Sequence, residues 1–399
     1  MLTQQRKLIS NNGELFIIPL AIFFIWPLLG VLISAVIILS GWSITKKQYY
    51  ILFCLLALYL GLINSTKLVQ NDLINYVSYF KEVPQHHFLR YIFVTRKEPI
   101  FFIYNYLCYY LTGGSIKLYL IITTFISYIF LFVAIYKYYN TIRNKPEIII
   151  FAILIIAFFP QLFSLSAQVI RQFMAASIMV YAMVLKLINN KKVGIYILLA
   201  IFIHSTTLFF VPLIYFNALK KRISPKLIII VLLAALTFFS VLPLIINKVI
   251  DLLGSNFITY ALIRVKEGST FYLKPLSLVV WLTLFFLMGI SICHQFNSKN
   301  FIYKTGQIHF LNIFLLLGIF ILANYRVLEI SKRFFFFVYF FFPFIFPLFF
   351  LSLKMEIKML RFLLIIGFLF FFVYRLEFGT WHYAPLLKLL FGNVFSFLK

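Results

Sequence analysis

Long apolar runs with almost no formal charge constrain this chain more than any other feature. The runs 16–38, 227–246 and 334–351 each reach or approach the ~20 helical residues that cross a bilayer. Inside a bilayer no water is available to backbone N–H and C=O groups, so only helices and closed barrels span it. Barrel strands alternate polar and apolar residues. These blocks do not, and the fold class they predict is all-α and polytopic. Composition agrees. Apolar types make up 63% of the 399 residues and charged types 12%, against roughly 45–50% and about 25% in soluble domains.

The net charge of +26 comes from 36 Lys and Arg against two Asp and eight Glu. The basic residues sit in short clusters between apolar runs, so anionic lipid headgroups, and not nucleic acid, are the expected partner. Cys54, Cys108 and Cys293 form no CxxC pair and no metal spacing, which argues against a disulfide framework or a metal site. His86-His87 has no further ligand at metal spacing. No cleavable signal peptide is expected, because the first apolar run is too long for an h-region and no A-x-A site follows it. P-loop, GxGxxG and GxSxG patterns do not occur. A reaction carried out here would need no cofactor and an already activated substrate.

The hydropathy pattern predicts helices near 15–40, 48–64, 98–112, 115–136, 147–163, 167–187, 193–217, 227–247, 275–293, 309–324, 333–351 and 362–375. This amounts to about 10–12 transmembrane or re-entrant helices in a single integral membrane domain, 1–399. Pro27 and Gly30 divide the first run, which is one tilted helix or two half-helices. The run 98–112 is short for a crossing and ends at Gly113-Gly114. The run 193–217 is interrupted at Ile203-His204-Ser205-Thr206. Lysines and arginines in short loops set orientation. The loops around Lys137–Lys145 and Lys186–Lys192 read as cytoplasmic, which puts the turn 161–168 outside. The total split of basic residues is near-even, as it would be if the outer face used cations for a ligand. Loops at about 65–97 and 248–274 are the expected external cap. The two halves show no repeat of the kind common in secondary transporters.

Five constellations can carry chemistry. Asp72, Asn75, Tyr76 and Tyr79 fall on one helical face, which suits a sugar-binding surface or an interfacial amphipathic helix. Glu98-Pro99 opens a helix. The carboxylate is either a dipole-favoured terminal residue or a general base at the membrane edge. Ser166 reads as an N-cap, with Gln168, Arg171, Gln172 and Ala175 on one face after it. An Arg this far into an apolar helix is costly and seldom idle. Arg171 is read as a phosphate ligand or a residue snorkelling to the interface. His204-Ser205-Thr206-Thr207 is either a cavity-lining base or phosphate donor, or a polar helix break satisfied by backbone. Arg326, Glu329 and Arg333 share a face, as an anion site or a surface ion-pair ladder.

Together and in order, these pieces resemble the EpsG-type family of polysaccharide polymerases, which includes many O-antigen (Wzy) polymerases. The resemblance rests on Asp72-Leu-Ile-Asn-Tyr76 with Tyr79-Phe80, then Glu98-Pro99-Ile-Phe. It continues with Ile170-Arg171-Gln172-Phe-Met-Ala175, Ile203-His204-Ser205-Thr206 and a late Arg333-Phe-Phe. It is strongest over 72–210. The usual Gly or Arg before the acidic motif is replaced here by Lys67-Leu-Val-Gln-Asn71.

The resemblance implies a GT-C-like membrane glycosyltransferase in the bacterial inner membrane. Such an enzyme joins oligosaccharide repeat units carried on undecaprenyl pyrophosphate at the periplasmic face, without a metal. Arg171, Arg333 and Arg326 would hold the pyrophosphate, and Tyr76, Tyr79, Gln168 and Gln172 would contact substrate. Asp72, Glu98 or His204 would take the acceptor's proton. The 65–97 loop is placed outside on this ground. A flippase and a chain-length regulator of the same pathway are the implied partners. The competing readings are a flippase for the same lipid-linked unit, an O-antigen ligase, a scaffold component and a proton-coupled transporter.

Overall fold

The computed structural model describes residues 17–39, 45–93, 98–142, 145–224, 277–296, 305–325, 328–352 and 358–398, with scattered positions between 226 and 237. Among these, helices and their connections make up the whole chain and no strand occurs. Six helices are long and apolar enough to cross a membrane: Lys46–Ser65, Ile116–Thr141, Ile170–Leu187, Leu278–Gln295, Thr305–Ala323 and Ile330–Phe350. A seventh is the pair Pro146–Ala157 and Pro160–Ser166, bent by 59°. This polytopic, all-helical architecture is the expected class. Among the described residues the runs 15–40 and 193–217 are broken into pieces, and 98–112 is a short helix. The loop 248–274, expected to be external, and most of 227–247 lie outside the described residues.

The residues cluster in two compact units, Met1–Val211 with Ile357–Lys399, and Pro212–Glu356. The first carries nearly all of the residues singled out above. Its helices in the N-terminal segment are α1 (Ile17–Ile25), α2 (Pro27–Leu39), α3 (Lys46–Ser65), α4 (Asp72–Lys81), α5 (Phe88–Phe93), α6 (Pro99–Thr112), α7 (Ile116–Ile142), α8 (Pro146–Ala157), α9 (Pro160–Ser166), α10 (Ile170–Leu187) and α11 (Gly194–Ile203).

The first apolar run is two half-helices. Proline at 27 removes a helical donor and stops α1. Helix α2 then folds back so closely that a Cβ on Gly30 would lie 2.8 Å from the backbone of Phe23 and of Pro19. Trp26 at the tip donates its indole N–H to Leu390 O at 2.6 Å.

Helices α3 and α7 form the spine and run antiparallel. Their partners descend in step: Asn64 bonds Thr124, Phe53 packs on Phe132, and Tyr49 on Tyr136. A Cβ on Gly61 would stand 2.9 Å from Ile121 O, so glycine permits this approach. Close backbone packing at small residues is how helices associate in lipid, where burial supplies no drive between them.

The spine fixes what α6 does. Tyr119, near the start of α7, donates to Asn105 Oδ1 of α6 at 2.9 Å and stacks on Phe80 of α4 at 4.4 Å. Gly113, in the left-handed region at φ +60°, turns the chain straight from α6 into α7. Helix α6, 14 residues long, packs along the first turns of α7, where Tyr104 also bonds Thr123, and is shorter than the ~20 residues of a crossing. The start of the loop after α3 lies beside α9, where Lys67 meets Ser164. At the opposite face Lys137 lies near Lys46 and Lys191, and Asn189 bonds Thr141. The residues that border the two loops read as cytoplasmic thus lie at one end of the unit.

The second unit holds the helices Leu278–Phe296, Thr305–Ala323 and Leu328–Ser352. Buried Asn312 ties it locally, accepting from Gln295 and donating to Leu219 O and Lys221 O. His309 bonds Leu213 O at 2.7 Å.

Candidate functional site

Three separated pieces of sequence meet at the start of α10. Pro99 occupies the first turn of α6, where its missing N–H costs nothing, and Glu98 stands at the N-cap, as the Glu-Pro order predicts. Helix α11 ends at His204, whose extended backbone breaks the apolar run as expected and leads into a 3₁₀ turn, Ser205–Phe209. Arg171 lies in the first turn of α10.

There Arg171 Nη1 donates to Glu98 Oε2 at 2.5 Å. The other oxygen, Oε1, accepts the Ser205 backbone N–H at 3.3 Å. The guanidinium lies 5.5 Å from the centre of the Tyr76 ring and 5.7 Å from that of Phe101. Those rings face an electron-rich surface toward the cation. Arg171 Nε is buried and has no hydrogen-bond partner among the described residues. Burial raises the Tyr76 phenol above its usual range, and Arg171 beside it offsets part of that rise. The phenol thus stays a proton donor at neutral pH.

His204 is oriented by its own turn. Its Nδ1 lies 3.3 Å from the Thr206 backbone nitrogen, which can only donate, and 2.9 Å from Thr206 Oγ1. The ring hydrogen of the neutral form is therefore on Nε2. His204 offers a hydrogen-bond donor from that nitrogen, which favours its reading as a phosphate donor over that as a base.

Helix α4 places the acidic-aromatic motif beside this cluster. Tyr76 is buried toward Arg171, Tyr79 packs edge-on against Phe102, and Asp72 and Asn75 are exposed. The residue before Asp72 is strained. Asn71 has φ +53°, a region that side chains rarely enter and glycine enters readily. Asn71→Gly is expected to keep function and raise stability by up to about 1 kcal/mol, whereas Asn71→Val lowers it by ~2 kcal/mol. Thermal melting of the detergent-solubilised variants checks both.

Gln168 and Gln172 do not share the Arg171 surface in the way the helical spacing suggests. Gln168 precedes α10, is buried, and spends its amide on Gln70 O at 3.3 Å and Lys67 Nζ at 3.1 Å. Gln172 is buried on α10. Ser166 is not the N-cap of α10. It ends α9, donates to Phe163 O and accepts from Asn64. The cap position falls to Val169, because residues 167–169 connect the end of α9 to α10.

Lys67 is a residue that motif reading passes over. It is 4% exposed, donates to Ser164 O at 2.9 Å, and lies 4.8 Å from the Trp381 ring centre and 5.6 Å from that of Tyr383. Among the described residues no carboxylate lies in ion-pair range of it. The rings belong to a strap held on the same loop by Leu68 N–H to His382 O and Ala384 N–H to Thr66 Oγ1. Burial lowers the amine from 10.5 to about 7. Between those values the unfolded chain holds a proton that the folded one has lost, so stability rises with pH across the window. Lys67→Met is expected to flatten that rise, read as melting temperature from about pH 6 to about pH 10.

Beside α9 an apolar cleft of about 570 Å³ opens against the helix Lys358–Phe378, lined by Phe159, Pro160, Phe368, Phe371 and Tyr374, with Arg375. Arg333 lies in the second unit, on the helix Leu328–Ser352, with its side chain exposed. Arg326 and the side chain of Glu329 lie outside the described residues. Among the described residues no group of His, Cys, Asp and Glu is placed to hold a metal ion.

A family model described as EpsG family matches residues 49–385, more than four fifths of the chain, and takes in this whole cluster. No curated protein and no solved structure matches the chain.

Proposed function

The chain belongs to the EpsG family, and on that premise we propose that it is a polysaccharide polymerase of the bacterial inner membrane. It joins oligosaccharide repeat units carried on undecaprenyl pyrophosphate, at the periplasmic face. The observation that carries this reading is Arg171, part-buried at the start of α10 against two aromatic rings, with an unpaired Nε and a carboxylate beside it. A guanidinium in that setting suits a leaving pyrophosphate, whose charge grows as the glycosidic bond breaks. The pyrophosphate is itself the activation, so neither a nucleotide nor a metal is required.

The neighbouring groups have matching roles. Glu98 is the proton acceptor for the attacking hydroxyl, favoured over His204 because the histidine's Nδ1 is engaged by Thr206. His204 donates from Nε2 to substrate oxygen. Asp72, Tyr76 and Tyr79 form the sugar-facing side, with ring faces for C–H surfaces and a carboxylate for hydroxyls. The apolar cleft ending at Arg375 suits the isoprenoid chain. Arg333 and Arg326 remain proposed second cations for the pyrophosphate. The pathway's flippase and a chain-length regulator are proposed partners.

Surface glycan from a deletion strain, with and without the gene restored, tests the proposal on a gel. Single repeat units retained with the ladder lost is the expected pattern. Loss of even the single capped unit contradicts it and moves flippase or ligase forward.

A further inference from the structure

Arg171 and the Ser205 N–H already form a two-donor anion cradle, and this chain's own carboxylate fills it. Each donor takes one oxygen of Glu98. A phosphate presents the same pair of charged oxygens at nearly the same spacing, and a third besides. Arg171 Nε, buried and without a hydrogen-bond partner among the described residues, is a further donor, on another edge of the guanidinium, that the carboxylate leaves unused.

We propose that Glu98 is a placeholder for the donor's diphosphate, which displaces it from Arg171 and from the Ser205 N–H and thereby releases the base. This inference rests on the polymerase reading above and adds Ser205 and an order of binding to it. Before the donor arrives, Glu98 is held by a cation and is a poor proton acceptor. Once a phosphate takes the cradle, the carboxylate has lost Arg171 and gained an anion nearby, and both changes strengthen it as a base.

The acceptor hydroxyl then bonds the donor's anomeric carbon through its oxygen and gives its proton to Glu98. The bond from that carbon to the diphosphate oxygen breaks, and the diphosphate leaves with the electron pair. The proton passes from Glu98 to the departing diphosphate, and the carboxylate returns to Arg171. The donor therefore binds before the acceptor can react.

Competition from Glu98 reduces apparent donor affinity by the fraction of protein in which the cradle is open. Geranylgeranyl diphosphate, titrated onto the purified protein in detergent, serves as the probe. Glu98→Gln keeps shape and removes charge, and is expected to bind it about tenfold more tightly than wild type, while Arg171→Ala loses binding. Equal or weaker binding by E98Q, with loss in R171A, overturns the placeholder and leaves the phosphate site standing. Unchanged binding in R171A overturns both. A second measurement uses the wild-type chain alone. Carbodiimide labelling of Glu98, read by mass spectrometry, is expected to rise when the probe is added, and a fall or no change overturns the proposal.

Discussion

Arg171→Ala is expected to abolish polymer while the protein still inserts in the membrane at normal level. The side chain sits at the start of α10 with its charge held by Glu98 and two ring faces. Truncating it removes the group that meets the growing charge on the pyrophosphate, and removal of one such group costs on the order of 10²–10³ in rate. Arg171→Lys separates charge from geometry. Lysine keeps the charge but presents no planar fork, so it should recover only a small part of the activity. Short or absent glycan ladders in both variants, with membrane levels matched by immunoblot, is the result to look for. A full ladder from R171A would show that the phosphate is held elsewhere.

The second large effect is expected at Glu98. Glu98→Gln keeps the shape of the side chain but only one of its two contacts, to Arg171 or to the Ser205 N–H, because an amide has a single acceptor oxygen. It cannot take a proton, and loss of a general base costs typically 10²–10⁴ in turnover. His204→Gln should cost less, about tenfold, because the ring supplies one hydrogen bond of ~1.4 kcal/mol. Single-turnover rates with lipid-linked repeat units measure both. The reverse order of effects would place the base at His204, and equal small effects would turn attention to Asp72.

What the sequence makes legible follows from where the information is local. Helix α3, helix α7 and helix α10 are long apolar runs and read directly. The break at His204 and the Glu98-Pro99 start read from neighbouring residues. Direct contact between Glu98 and Arg171 does not, because 73 residues separate them and no periodicity links a helix cap to a helix 73 residues on. The resemblance named both residues without joining them. Lys67 is missed for a different reason. In sequence it is one more basic loop residue, and its burial depends on Trp381 and Tyr383, which approach from the far end of the chain. The half-helices α1 and α2 had a signal in Pro27 and Gly30, but a fold-back and a tilted helix have the same hydropathy. Charge counting could not place the 66–98 loop. The contact of Lys67 with Ser164 ties its start to α9, and those residues are 97 apart in sequence.

Reconstitution tests the central claim most directly. The purified protein, alone in liposomes with a single lipid-linked repeat unit, should build a ladder of longer chains and release one isoprenoid diphosphate for each linkage formed. Repeat units that stay single but move to the other leaflet would contradict the account and make the protein a carrier of the unit.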